Sequence, residues 1–124
     1  MNILGLNYAY HDSTACIVKD GKLVVALEEE RLTRQKHTSA FPEQAIKRCL
    51  EFAGIEPKDI DHIAISTRPR LDWQKKAVYS LRLGRRMRPF IQLEIMSYIF
   101  KRKNLNEWLK TTFTTHNMPK IHFV

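Results

Sequence analysis

The 124-residue chain has little that would tie it to several common classes. It has only two cysteines, Cys16 and Cys49, far apart and both in apolar-patterned segments. That excludes a disulfide framework and a CxxC zinc site, and points to small buried hydrophobes in a reducing compartment. No long apolar run is present. The longest mainly apolar stretch, 89–100, is interrupted by Gln92 and Glu94, whereas a bilayer span needs about 20 apolar residues. The N-terminus carries no basic residue ahead of its first apolar ones, which argues against a secretory signal and for a cytoplasmic protein. With four glycines there is no Gly-rich phosphate loop, and no repeat or low-complexity tract occurs.

What is present is enough apolar material for a core: 44% hydrophobic against 27% charged residues. The net charge of +8 is uneven. Residues 68–103 hold eleven Lys/Arg against Asp72 and Glu94, while the rest of the chain is close to neutral. Such a stripe could meet phosphate, nucleic acid or an acidic partner, or could be a solvated helical face. The chain has no RNP aromatics, zinc-finger spacing or recognition-helix pattern, so nucleic acid is not the favoured partner.

Hydrophobic patterning predicts strands at 2–7, 14–19 and 22–28. Asp20-Gly21 is a hairpin signal, because a type I′ turn needs positive φ at both central residues. After Glu28, Glu29, Glu30 and Arg31 comes a polar, basic linker over 33–39. Pro42 suits the first helical position, and Ala45, Ile46, Cys49, Leu50 and Ala53 recur at helical spacing until Gly54 stops the helix. A strand follows over 60–66. Two basic helices are expected at 73–87 and 90–102, a third at 105–112, and a last strand after Pro119. The order is β-β-β-α-β (1–66), a basic helical variable region (67–118) and the start of a further strand (119–124). An unpaired final strand is an aggregation liability, and it makes the chain look truncated.

The densest polar set is Asn7, Tyr8, Tyr10, His11, Asp12, Ser13 and Thr14, in the connection between the first two strands. A loop there can fix side chains and backbone N–H groups around an anion. His11 titrates near neutrality and can take a proton from an attacking hydroxyl. Asp12 can orient His11, ligate a metal or cap a local turn. The plain alternative is turn hydrogen bonding by Asp12 and Ser13 beside a solvated His11. Arg34, Lys36 and His37 form a second cluster that could neutralise a phosphate-like group, or be a solvated linker. Glu28, Glu29 and Glu30 would alternate faces on a strand and could not share one site; one should be buried or paired with Arg31. His62, His116 and His122 have no shared ligand spacing and read as structural or solvated.

Taken in order, Ile3-Leu4-Gly5-Leu6-Asn7, His11-Asp12-Ser13, Asp20-Gly21, Glu28 to His37, Phe41-Pro42 and Gly54 to Asp61 resemble the N-terminus of the O-carbamoyltransferases. The family includes nodulation-factor and antibiotic carbamoyltransferases. The resemblance is strong over 1–66, recurs at 119–124 and is weak over 68–118. It implies an α/β fold: the N-terminal part of an actin-like ATPase (ribonuclease H-like) fold, with a basic helical insertion. It also implies a longer two-domain enzyme in which a C-terminal domain makes carbamoyl-adenylate from carbamoyl phosphate and ATP. The N-terminal domain then passes the carbamoyl group to a hydroxyl of a sugar or natural-product acceptor. An iron-type divalent metal held by a His-x-x-x-His pair and carboxylates is expected just beyond Val124, so none is expected within this chain.

On this resemblance His11 is the catalytic residue, Asn7, Asp12 and Ser13 shape the loop and hold the nucleotide phosphate, and Lys36 and His37 contact substrate or phosphate. The chain alone should be inactive, and a homodimer is compatible with it. Rival readings are a non-catalytic nucleotide-binding domain of the same superfamily and a basic nucleic-acid or partner-binding module centred on 68–103. Thiolase-like enzymes carry stretches similar to Ile55 to Ile65, but they need a catalytic cysteine at a strand-to-helix turn, and Cys49 lies mid-helix.

Overall fold

The computed structural model describes residues 1–8, 12–66, 88–113 and 118–124, and among 88–101 it describes the side chains only in part. Five strands form one mixed sheet: β1 (Asn2–Asn7), β2 (Thr14–Lys19), β3 (Lys22–Glu28), β4 (His62–Ile65) and β5 (Lys120–Phe123), in the order β3-β2-β1-β4-β5. β1 to β3 make an antiparallel meander, whereas β4 joins β1 in parallel and β5 joins β4 in parallel. The predicted strand positions and the α/β class agree with this architecture.

The β2–β3 turn follows from its two residues: Asp20 has φ 50° and Gly21 φ 79°, the left-handed pair a type I′ turn requires. Register then sorts the side chains. Leu4 lies opposite Ile17 and beside Ile63, and Leu6 opposite Ala15 and beside Ile65. All six are buried on one face. That face is covered by helix α2 (Glu43–Ala53), whose Ala45, Ile46, Cys49 and Leu50 are buried in the same core. The other face carries Gly5 and its cross-strand partner Cys16. A Cβ on Gly5 would come 2.5 Å from the Cys16 sulfur, so the glycine is there to let two strands pass.

Helix α2 starts one residue later than predicted. Pro42 is fully buried and precedes the first helical residue, with φ −82° and ψ 61°. The reason is a long-range cap, described below. Its end is as predicted: Gly54 sits at φ 63°, its N–H donates to Glu51 O (3.2 Å) and the Ile55 N–H to Leu50 O (3.2 Å), the Schellman pattern.

Two other expectations are corrected. Glu29–Thr33 is a short helix, α1, where the end of the meander and the first residue of the linker were expected. The helices expected at 90–102 and 105–112 are one continuous helix, α3 (Arg88–Thr112), because nothing between Lys103 and Leu105 breaks a helix and Pro89 lies in the tolerant first turn. α3 contributes Leu105 and Leu109 to the core, with Phe113 just past its end. The helix expected at 73–87 lies outside the described residues. No described helix is long and apolar enough to cross a membrane.

Candidate functional site

The C-terminal ends of the parallel strands β1 and β4 lie side by side, and open α/β sheets place their ligands at such ends. There the Ser66 hydroxyl donates to Asn7 Oδ1 (2.7 Å), and Asn7 Nδ2 donates to the Asp12 carbonyl (3.4 Å). Asn7 therefore ties the β1–β2 connection to the end of β4. Tyr8, expected in a polar loop, is fully buried with its ring edge-on to Phe41 at 5.1 Å. Burial also pushes the Tyr8 phenol well above its ordinary range.

Ser13 is fully buried. Its hydroxyl lies 2.6 Å from the Ala40 carbonyl oxygen and 3.0 Å from that of Thr38. Its N–H donates to Thr38 O (3.0 Å) and its own carbonyl accepts from the Glu29 N–H (2.8 Å). One serine thus holds the linker 34–40 and the start of α1 against the β1–β2 connection. Facing the same linker, Asp12 stands at φ 50° with its carboxylate 3.1 Å from His37 Nδ1. His37, at φ 53°, donates its N–H to the Glu30 carboxylate (3.2 Å).

Sequence reasoning reached Asn7, Asp12, Ser13 and His37, and the structure brings these four together. Lys36 is exposed in the turn preceding His37. His11 and Tyr10 lie outside the described residues. Glu30, Thr38, Ala40 and Ser66 went unrecognised, since no local spacing marks them. Glu29 was also missed as a support. It is 4% exposed, and its carboxylate accepts the Ala45 N–H (2.7 Å) and the Gln44 N–H (3.2 Å) at the start of α2. α1 explains how neighbouring glutamates take different tasks: Glu28 pairs with Arg31 (3.2 Å), Glu29 caps α2 and Glu30 faces His37. The two imidazoles of His62 and His122 meet as well, 3.1 Å apart on neighbouring strands, although nothing in their spacing marks them as a pair. His116 lies outside the described residues.

Among the described residues, one group could ligate a metal: Asp12, Glu30 and His37, whose donor atoms lie within 4.8 Å of one another. Two carboxylate oxygens and an imidazole suit a divalent cation. They are not the His-x-x-x-His pair that the resemblance implies, a spacing that occurs nowhere in the 124 residues. The set is therefore distinct from the metal site that the resemblance implies.

The sequence matches the family described as "Carbamoyltransferase N-terminus" over residues 2–119. The chain belongs to the carbamoyltransferase N-terminus family. The match runs through the basic region 68–118, where the motif resemblance is weak. The chain is 48% identical over 58 residues to the nodulation protein NolNO of Sinorhizobium fredii, covering 47% of this chain and 8% of that protein. It is 46% identical over 74 residues to the uncharacterised protein sll1178 of Synechocystis, covering 60% of this chain and 12% of that one. It is 43% identical over 58 residues to an uncharacterised 19.2 kDa protein of Rhizobium etli, covering 47% and 34%. The chain thus spans about a tenth of the length of the first two relatives.

Proposed function

We propose that this carbamoyltransferase N-terminal chain supplies the acceptor side of an O-carbamoyltransferase. The reaction is transfer of a carbamoyl group, drawn from carbamoyl phosphate through an ATP-derived carbamoyl-adenylate, to a hydroxyl of a sugar or natural product. The observation that carries the reading is the family match over 2–119, joined to a polar cluster at the ends of the parallel strands. The 3-2-1-4-5 strand order, with β2 antiparallel to β1, supports assigning the sheet to the actin-like, ribonuclease H-like class. A cytoplasmic location goes with this reading.

In this reaction the acceptor oxygen attacks the carbamoyl carbon, the C–O bond to AMP breaks with its electron pair on the phosphate, and the hydroxyl proton must leave. His11 takes that proton, or holds the carbamoyl group, from the loop that Asn7 and Ser13 fix at both ends. Asp12, with His37 at its carboxylate, presents the negative edge of the site, and Lys36 offers a cation to the nucleotide phosphate. Oriented N–H donors would stabilise charge on the carbonyl oxygen.

The test is made on the protein as translated from its gene, with all sequence that accompanies residues 1–124. Labelled carbamoyl phosphate, ATP and a panel of hydroxyl acceptors should give a carbamoylated product and AMP. Nucleotide binding without AMP release or product, across the panel, would point to the non-catalytic reading.

A further inference from the structure

A cavity lies between the start of α2 and the C-terminal half of α3. It holds about 270 Å³ and is lined by Phe41, Glu43, Asn104, Glu107, Trp108 and Thr111. Its aromatic wall is fixed from behind. The Phe41 and Trp108 centroids are 6.0 Å apart with planes tilted by 44°. Phe41 is braced edge-on by Tyr8 and Trp108 by Phe113. Both rings are half-buried, so each keeps surface for a ligand.

The charge of this cavity is opposite to that of the protein. The chain carries +8, yet among the described residues the lining holds two carboxylates and no basic residue. Lys103 approaches Glu107 only to 3.9 Å, across one turn of exposed helix. Such a pair is weak and yields easily to a competing cation. An anion would meet Glu43 and Glu107 unfavourably, and an apolar ligand would gain nothing from either carboxylate. A cation gains from both features, since π faces attract positive charge and the carboxylates neutralise it. The Asn104 amide adds one group able to hydrogen-bond a substituent.

We propose that the Phe41–Trp108 cavity binds a small organic cation, an ammonium or alkylammonium group on a compact carrier. The site does not depend on the carbamoyl-transfer reading, because none of its lining residues belongs to the Asn7–Asp12–Ser13–His37 cluster.

The probe is tetramethylammonium chloride, titrated into the gene-length protein, with the Trp108 signal taken as the part of the tryptophan fluorescence that is lost in Trp108→Phe. Trp108 fluorescence should change saturably with tetramethylammonium. It should respond about tenfold more weakly to tert-butanol, a neutral compound of similar shape, and not to matched sodium chloride. Glu43→Gln and Glu107→Gln, both at exposed positions, should each weaken binding about threefold while far-UV circular dichroism stays unchanged. The Trp108 indole N–H resonance should shift along the same curve. Equal response to tert-butanol, no saturation, unchanged affinity in the double Gln variant, or shifts that leave the Trp108 indole untouched would each overturn the proposal.

Discussion

The β2–β3 turn and the β1–β2 connection both join antiparallel neighbours, and both contain an aspartate at φ 50°, Asp20 and Asp12. They are stabilised in different ways. At the β2–β3 turn the left-handed backbone falls on Asp20 and on Gly21, which has open space around it, and the long-range support comes from the first residue alone: Met1 O accepts the Asp20 N–H and the Met1 ammonium meets the Asp20 carboxylate. At the β1–β2 connection the conformation is held from afar. Ser13 reaches Thr38 and Ala40, Asn7 reaches Ser66, and Asp12 reaches His37. A turn that only reverses the chain can be encoded locally. A connection that must aim side chains into a site takes its rigidity from distant segments, so damage to those segments should cost more than damage to the hairpin.

The largest effect should come from Glu29, the hub of that distant support. Glu29→Ala leaves two backbone N–H groups at the start of α2 without their charged acceptor, and should cost about 3 kcal/mol in urea unfolding. Ser13→Ala should cost about 2 kcal/mol, because the Ala40 carbonyl loses its buried hydroxyl donor while the Thr38 carbonyl keeps the residue-13 N–H. Amide exchange should accelerate across 36–40 in that variant while the 19–22 hairpin stays unchanged. Equal acceleration in both turns would break the comparison.

A pH titration gives the next effect. Cys49 is fully buried, and burial, with Cys16 nearby, pushes its thiol up to about 11. The folded chain keeps this proton longer than the unfolded one. Stability should therefore be unaffected by Cys49 below about pH 8.5 and fall as pH rises from there toward 11. Cys49→Ala should remove that part of the alkaline slope. The smallest change is expected at the hairpin: Gly21→Ala adds a side chain into open space and meets only backbone strain, about 1 kcal/mol.

The same contrast explains what could be read from the chain. The five strands, the Asp20-Gly21 turn and the Gly54 stop were legible because each depends on alternation or on one residue's φ preference. Asn7, Asp12, Ser13 and His37 stood out as polar residues in suspicious places, and the structure draws them into one cluster. Their actual partners were not legible. Glu29 caps a helix that begins 14 residues later, and Ser13 bonds carbonyls 25 and 27 residues away. Sequence distance hides such bonds, since any acceptor carbonyl would serve. α1 was missed because five residues carry too little periodicity. α3 was divided in error because its basic and core-facing halves differ in texture while no residue actually stops the helix.

The central claim is that the tethered β1–β2 connection is the place where a carbamoyl group meets its acceptor. The most direct measurement is carbamoyl transfer by the gene-length protein carrying His11→Ala, with Gly21→Ala as the control in the other turn. The account predicts a loss of about a hundredfold or more in the first, with AMP formation from carbamoyl phosphate and ATP retained, and near-full activity in the second. Transfer undiminished by His11→Ala would contradict it.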